Sequence, residues 1–101
     1  MKATITADNS EHWVNHVGLA LACARDKRDA AERKWHDNPW WRPLLDTHLE
    51  VIYMRHDMAA NALNDLMKAV LRVDSGVLSK VEIDEWEMDR VDTYYRKPRK
   101  E

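Results

Sequence analysis

Apolar residues recur every three or four positions along most of the chain, which is the spacing of one face of an α-helix. The strongest run follows Pro43 and is interrupted by one histidine: Leu45, Leu49, Ile52, His56, Ala59, Leu63, Leu66, Val70 and Val73. It is widened by Leu44, Val51, Met58 and Ala62. Gly76 follows as a natural terminator. The pattern predicts a helix over 43–74 with more apolar surface than one neighbouring helix can cover.

An earlier helical pattern runs from residue 9 to residue 36. Asp8 and Glu11 have the spacing of a capping box, with Ser10 as a competing cap. Pro39 ends the helix after Asn38, because proline disfavours helical geometry in the residue before it. The positions that face inward on this pattern, one of them charged, are Val14, Val17, Leu21, Ala24, Arg28, Ala31 and Trp35.

A third helix is predicted over 80–95. Ser79 and Glu82 have the spacing of a capping box, and Leu78 and Ile83 have that of a hydrophobic staple. Both signals place the start of the helix at about residue 80.

These helices predict an all-α fold in one domain, 1–101. Two helices of about 27 and 30 residues, joined by a short turn, form a long antiparallel hairpin of roughly 40 Å. A third helix of half that length cannot cover the hairpin, so we expect self-association or a partner to complete a bundle. The basic tail 96–101 is expected to be flexible.

Composition excludes several classes of protein. Sixteen Lys and Arg residues against 18 Asp and Glu residues give a net charge of -2, which argues against a wholesale basic nucleic-acid binder. The single cysteine, Cys23, permits no internal disulfide and suits a reduced compartment. No apolar run approaches the roughly 18 residues that cross a membrane, and no signal-peptide core is present. We therefore expect a cytoplasmic protein with no membrane contact.

The turn between the long helices is rich in tryptophan. Trp35, Trp40 and Trp41 lie within nine residues, followed by Arg42. Tryptophan dominates binding hot spots, although it also closes the ends of helical bundles. Adjacent side chains diverge, so at least one of Trp40 and Trp41 is expected to be partly exposed. The turn is therefore the first candidate contact site.

The segment from 82 to 92 is strongly acidic, with Arg90 as its one base. Its acids are Glu82, Asp84, Glu85, Glu87, Asp89 and Asp92. Acids near a helix N-terminus complement the helix dipole and keep a surface hydrated. Alternatively, they form an acidic face, centred on Trp86 and Met88, that docks on a basic surface.

No catalytic or metal signature stands out. His12 and His16 could share a metal ion, but Cys23 lies roughly 10 Å further along the helix and cannot join them, so surface histidines are the better interpretation. His56 is interpreted as a hydrogen-bonded core histidine. Ser10, Ser75 and Ser79 resemble caps, which leaves no nucleophile. We expect no metal, no cofactor and no enzymatic activity.

The stretch 25–34 interleaves bases with acids, which is typical of a solvated helix face. Arg28 is the exception because it falls on the inward-facing stripe. It could extend its head to water, pair with an acid of another helix, or meet an acidic partner. Together with the tail 96–101, this stretch supports an alternative function as a nucleic-acid-binding accessory protein, which the mixed signs make the poorer interpretation.

A short, tryptophan-rich, charge-segregated helical chain with the run Ala22 to Pro43 resembles the small phage-encoded helical proteins that inhibit host machinery, of the anti-RecBCD type. The resemblance implies a non-enzymatic inhibitor or modulator that binds a large host nuclease, helicase or similar assembly. We accordingly expect a protein-binding module that also has the option of forming a homodimer. Its expected contact residues are Trp35, Trp40, Trp41, Arg42, Glu85, Trp86, Met88 and Asp89.

Overall fold

The structure is a computed structural model that describes residues 3–37 and 43–95, with residues 43–46 described by their backbone alone. Along the chain the elements are β1 (Ala3–Thr6), α1 (Ser10–His36), α2 (Pro43–Asp74), β2 (Lys80–Ile83) and α3 (Glu85–Tyr94). The two long helices pack against each other, as the hydrophobic spacing predicts. Residues 38–42 of the tryptophan turn and the basic tail 96–101 lie outside the described residues.

Small residues line the contact between α1 and α2. Alanine side chains lose little entropy on burial and let two helix backbones approach closely. Larger apolar residues of both helices flank them and continue into β1, β2 and α3. The buried alanines are Ala20, Ala24, Ala31, Ala59 and Ala60, and the larger buried residues of the two helices are Val17, Leu21, Leu63, Leu66, Val70 and Val73.

A two-stranded antiparallel sheet closes one end of the hairpin. β1 pairs with β2 in a register that sets Ala3 opposite Ile83 and Thr6 opposite Lys80. Ile5 and Ile83 are fully buried in the common core. The prediction of an all-α fold is therefore only approximate, since the mostly helical chain carries this small sheet as well.

The predicted helix over 80–95 is wrong in its first turn. Residues 80–83 are strand β2, in which Val81 and Ile83 turn inward while Lys80 and Glu82 are exposed. That alternation is the period of a strand, and β1 supplies the hydrogen-bonding partner. The Ser79 and Glu82 spacing consequently caps nothing.

α3 begins five residues later, after Asp84. The backbone N–H of Asp84 donates to Oε1 of Glu87 at 3.3 Å, as in a capping box. Ile83, directly before this cap, is buried in the same cluster against which Met88 packs. The predicted kind of start is thus present at a different position.

The start of α1 also differs in detail from the capping prediction. Asn9 is the N-cap residue, and its side chain is used by β1: Oδ1 accepts from the Thr6 N–H at 2.7 Å, and Nδ2 donates to the Thr4 carbonyl at 3.1 Å. Ser10 is the first helical residue, not a cap, and its hydroxyl donates to Oδ1 of Asp74 at 2.8 Å. α1 is thereby tied to both the sheet and the end of α2.

The end of α2 is as predicted. Gly76 adopts a positive φ of 84°, which is strained for other residues. The N–H of Val77 donates to the Arg72 carbonyl at 2.8 Å, and that of Gly76 donates to the Val73 carbonyl at 3.1 Å. This pair of bonds is a Schellman motif, so Gly76 ends the helix.

In the part of the chain that the structure describes, no third layer covers the first half of α2. Of the side chains described from residue 47 onwards, those that are buried lie between Ala59 and Val73, and from residue 47 to residue 58 none is buried. α3 ends at Tyr94, whose hydroxyl bonds to His56. The described residues have a radius of gyration of 16.3 Å and extents of 54 × 32 × 24 Å. A compact domain of this length has a radius of gyration of about 13 Å, so the protein is elongated.

Candidate interaction surfaces

The outer face of α3 carries the predicted acids. Glu85, Asp89 and Asp92 are exposed and follow one another at helical spacing, while Val91 and Tyr94 on the opposite side are buried. Hydration and the helix dipole account for acids at these positions, and together they give α3 an acidic outer face.

Trp86 and Met88 differ in how much of each side chain is exposed on α3. Met88 is half-buried and packs against the core, so little of it is left for a partner. Trp86 is 56% exposed, and the Arg90 guanidinium lies 4.9 Å from the centroid of its ring. Stacking of this kind holds both side chains in place at the surface.

An apolar stripe on α2 lies beside Trp86. It consists of Val51, Met54 and Met58, whose exposed fractions are 49%, 51% and 62%. Arg90 joins the two features, because it borders one depression with Met58 and another with Trp86. Met58, at the end of the stripe, and Trp86 therefore lie on either side of Arg90 on the surface that α2 and α3 share.

A separate groove of about 260 Å³ lies between the uncovered halves of α1 and α2. We call it the open groove, and its lining residues are Lys27, Ala30, Ala31, Lys34, Leu49, Ile52 and His56. Its floor is apolar and its rim is basic.

His56 stands where the open groove meets α3. Its Nδ1 lies 2.8 Å from the Tyr94 hydroxyl, so the predicted hydrogen bond is present, but the side chain is half-buried and not part of the core as predicted. Burial, and then the positive charges of Lys27 and Arg55, lower the pKa of His56. The neutral imidazole is therefore favoured at this point.

His16 makes the corresponding contact on α1. Its ring stacks on Tyr95 with centroids 3.8 Å apart, and its centroid lies 5.6 Å from that of His12. Burial and His12 lower the pKa of His16, while Asp92 opposes them. Across residues 3–37 and 43–95, no three His, Cys, Asp or Glu side chains are grouped so that they could hold a metal ion.

Two bases of the stretch 25–34 have partners within the fold. Arg25 donates to Oδ1 of Asn64 at 3.2 Å. Arg28 lies 3.2 Å from Asp29 and 3.8 Å from Asp57 of α2, so among its three interpretations the pairing with another helix is the one observed. These contacts leave fewer bases free for phosphate than the sequence suggests.

The tryptophan turn is described only at its edge. Trp35 is half-buried, its ring centroid 5.3 Å from that of His36 and 5.6 Å from that of Tyr53 on α2. Trp40, Trp41 and Arg42 lie outside the described residues, so their predicted role as contacts stays a prediction.

Sequence reasoning missed two features of these surfaces. Met54 was absent from the apolar set of α2, although it lies three residues after Val51 and four before Met58. Convergence of Lys27 and Lys34 on His56 was also missed, because it depends on which faces of α1 and α2 meet. Their seven-residue spacing was the available signal.

Comparison with known protein families, curated proteins and solved structures finds no match to this chain. None of the helices, as far as the structure describes them, combines the length and apolar character that crossing a membrane requires.

Proposed function

We propose that this protein is a non-enzymatic protein-binding module that docks on a larger partner through the apolar stripe and Trp86. The observation that carries the proposal is the exposure of Val51, Met54 and Met58 along α2, with Trp86 exposed across Arg90 from Met58. Contiguous apolar surface of this kind on a small protein marks an interaction site.

The chemistry of the surface fits a protein partner. Tryptophan, methionine and arginine are enriched where proteins meet, and Arg90 is already held against Trp86. The acids Glu85 and Asp89 lie on the adjacent face of α3 and would form a charged rim. Such a rim favours a partner with basic groups around an apolar centre.

The resemblance to small phage-encoded inhibitors supports a more specific proposal. Enzymes that process nucleic acid present basic surfaces to phosphate, and an acidic rim is complementary to them. On this proposal the protein inhibits or modulates a host nuclease or helicase assembly by occupying such a surface.

Site-specific photo-cross-linking tests the proposal. A benzoylphenylalanine is placed at Met58 or at Trp86, and the protein is irradiated in an extract of the cells in which it occurs. We expect one discrete adduct, larger than two copies of the chain, from both positions. Excess wild-type protein should abolish the adduct, whereas excess Met58→Asp protein should not, because a buried unpaired carboxylate opposes docking.

Leu71 provides the matched control, since it is 45% exposed on α2 but lies away from the apolar stripe. A cross-linker at Leu71 should give no competed adduct. The same adduct from all three positions, or adducts of two copies alone, would contradict a larger partner at this surface.

A further inference from the structure

The open groove is a continuation of the surface of α1 and α2 on which α3 packs. α3 packs against both long helices, with Val91 and Tyr94 buried in the common core. The helix ends at Tyr94, beside His56 and with Lys27 of α1 5.4 Å from the ring centroid of Tyr94. The depression between α1 and α2 goes on past this point, and within the described chain no third element covers it. One half of the same surface is therefore filled by a helix and the other half is open.

The rim of the open half is basic and lacks acidic partners. The basic residues of this rim are Lys27 and Lys34. Among the described residues, no carboxylate forms an ion pair with either of them. Lys27 and Arg55 both act on His56, as the lowering of its pKa shows. Asp26 borders a neighbouring depression with Lys27 and does not line the open groove itself. A ligand with negative charge would meet two lysines here, and none of the described acids lines the groove.

The apolar floor of the open groove restricts the kinds of ligand that can fill it. Ala30, Ala31, Leu49 and Ile52 offer an apolar surface, which a phosphate backbone would leave unfilled. Nucleic acid also gains its affinity from many phosphate contacts, and this rim supplies few. A ligand with an apolar strip and acidic flanks uses both the floor and the rim.

The spacing of the lysines fits a helix. Lys27 and Lys34 are seven residues apart, which is about 10 Å along α1. Two acids separated by two turns of a docking helix have the same spacing. α3 shows the arrangement within this chain, because it buries Val91 and Tyr94 while its acids stay outside.

We propose that the open groove binds an acidic amphipathic helix of a protein partner, placed end to end with α3. This proposal rests on the proposed function, because it assumes that the protein binds other proteins. It adds a second binding surface, the open groove, and the chemistry of the helix that binds there.

Two labelled synthetic peptides test this inference by fluorescence anisotropy. Both are about 14 residues long with leucines at helical spacing, and one carries Glu and the other Lys at the flanking positions. We expect the Glu peptide to bind at least about tenfold more tightly than the Lys peptide. The double variant Lys27→Glu/Lys34→Glu should lose about tenfold or more in affinity for the Glu peptide.

Lys68→Glu is the matched control, because Lys68 is exposed on α2 and lines none of these depressions. It should bind the Glu peptide within about twofold of wild type. Ala30→Leu changes no charge but fills the floor, and it should weaken binding as well. Urea melts of each variant separate a loss of binding from a loss of folding.

Three results would overturn the inference. These are equal binding of the two peptides, equal effects of the groove variant and Lys68→Glu, and tighter, steeply salt-dependent binding of a labelled single-stranded oligonucleotide by the same lysines. Either of the first two results would show that the open groove does not bind an acidic helix. The third result would show that it binds nucleic acid instead. Met58→Asp should leave peptide binding unchanged, so failure here is distinguishable from failure of the cross-linking at the apolar stripe.

Discussion

Ser10 is the one buried polar residue in the part of the chain that the structure describes, with 2% of its surface exposed. Its hydroxyl donates to the carboxylate of Asp74 at 2.8 Å and lies 3.3 Å from the Ala7 carbonyl. The bond to Asp74 joins the first residue of α1 to the last residue of α2. A hydrogen bond to a charged group is stronger than a neutral one, so this contact helps fix how the two helices meet.

Replacement of Ser10 by alanine should lower the free energy of unfolding by about 1–2 kcal/mol, because a charge-assisted bond is lost while Asp74 can still be hydrated. Urea unfolding measures the change. Ser75→Ala is the matched control, since Ser75 is exposed and bonds only to the nearby Arg72 carbonyl. It should stay within about 0.5 kcal/mol of wild type. Equal losses for both variants would mean that the bond to Asp74 contributes nothing.

Local sequence could not have shown this role. Ser10 lies where a cap is expected, directly after the cap formers Asp8 and Asn9, and a cap is therefore the local interpretation. Its partner Asp74 is 64 positions away along the chain. Residue contacts between elements depend on how helices are rotated about their axes, which a single sequence specifies only through the apolar stripe.

At the level of elements, α3 is fixed at its C-terminal end by two contacts between tyrosine and histidine. Tyr94 bonds to His56 of α2, and Tyr95 stacks on His16 of α1. Burial is the main cause that lowers the pKa of each histidine. Positive neighbours add to it: Lys27 and Arg55 at His56, and His12 at His16, where Asp92 acts in the opposite direction.

The folded state should therefore lose stability in acid. A histidine with a lowered pKa binds protons less readily folded than unfolded, so the free energy of unfolding falls as pH drops below the ordinary value of 6.5 towards the lowered pKa. Urea melts at about pH 7.5 and about pH 5 should show this fall in wild type. A His16→Gln/His56→Gln variant should show a smaller fall, whereas His48→Gln, at an exposed site, should keep that of wild type. An unchanged pH dependence in the double variant would exclude these two groups as its source.

The helices could be predicted from the sequence and the sheet could not, for a physical reason. A helix closes its hydrogen bonds within one segment, so its hydrophobic spacing and its caps are local. β1 and β2 have four residues each and are separated by both long helices. A strand of that length is stable only when it is paired with another strand. The alternation of apolar and polar residues around Ile5 and Val81 was too short to predict strands against the capping-box spacing at the second of them.

Across the whole molecule, packing is concentrated at the end that carries the sheet. Ile5, Ile83 and Val91 join the two long helices in one core there. At the other end the described residues belong to α1 and α2 alone, and the open groove and the apolar stripe lie on that half. The predicted helix lengths indicated that the third helix is too short to cover the two long helices. They did not indicate which side chains remain exposed.

Amide hydrogen exchange should follow this gradient. Residues 47–58 and 59–73 belong to one helix, so both are hydrogen-bonded, yet only the second stretch contains buried side chains. We expect amides in 47–58 to exchange at least roughly tenfold faster, because local opening there exposes little apolar surface. Uniform protection along α2 would show that the uncovered half is held by something other than the described packing.

The exposed apolar stripe has a consequence for the free protein. Without a partner, Met58 and Val51 can be removed from water by contact with the same surface of a second copy, which lowers the free energy of the exposed apolar side chains. We therefore expect sedimentation velocity to show self-association at tens of micromolar. Met58→Asp should restore the monomer, because docking would bury an unpaired carboxylate, whereas Leu71→Asp, at a similarly exposed position away from the stripe, should not. A strictly monomeric wild type at that concentration would show that the stripe is too small to drive association alone, and equal dissociation by both variants would place the contact elsewhere on α2.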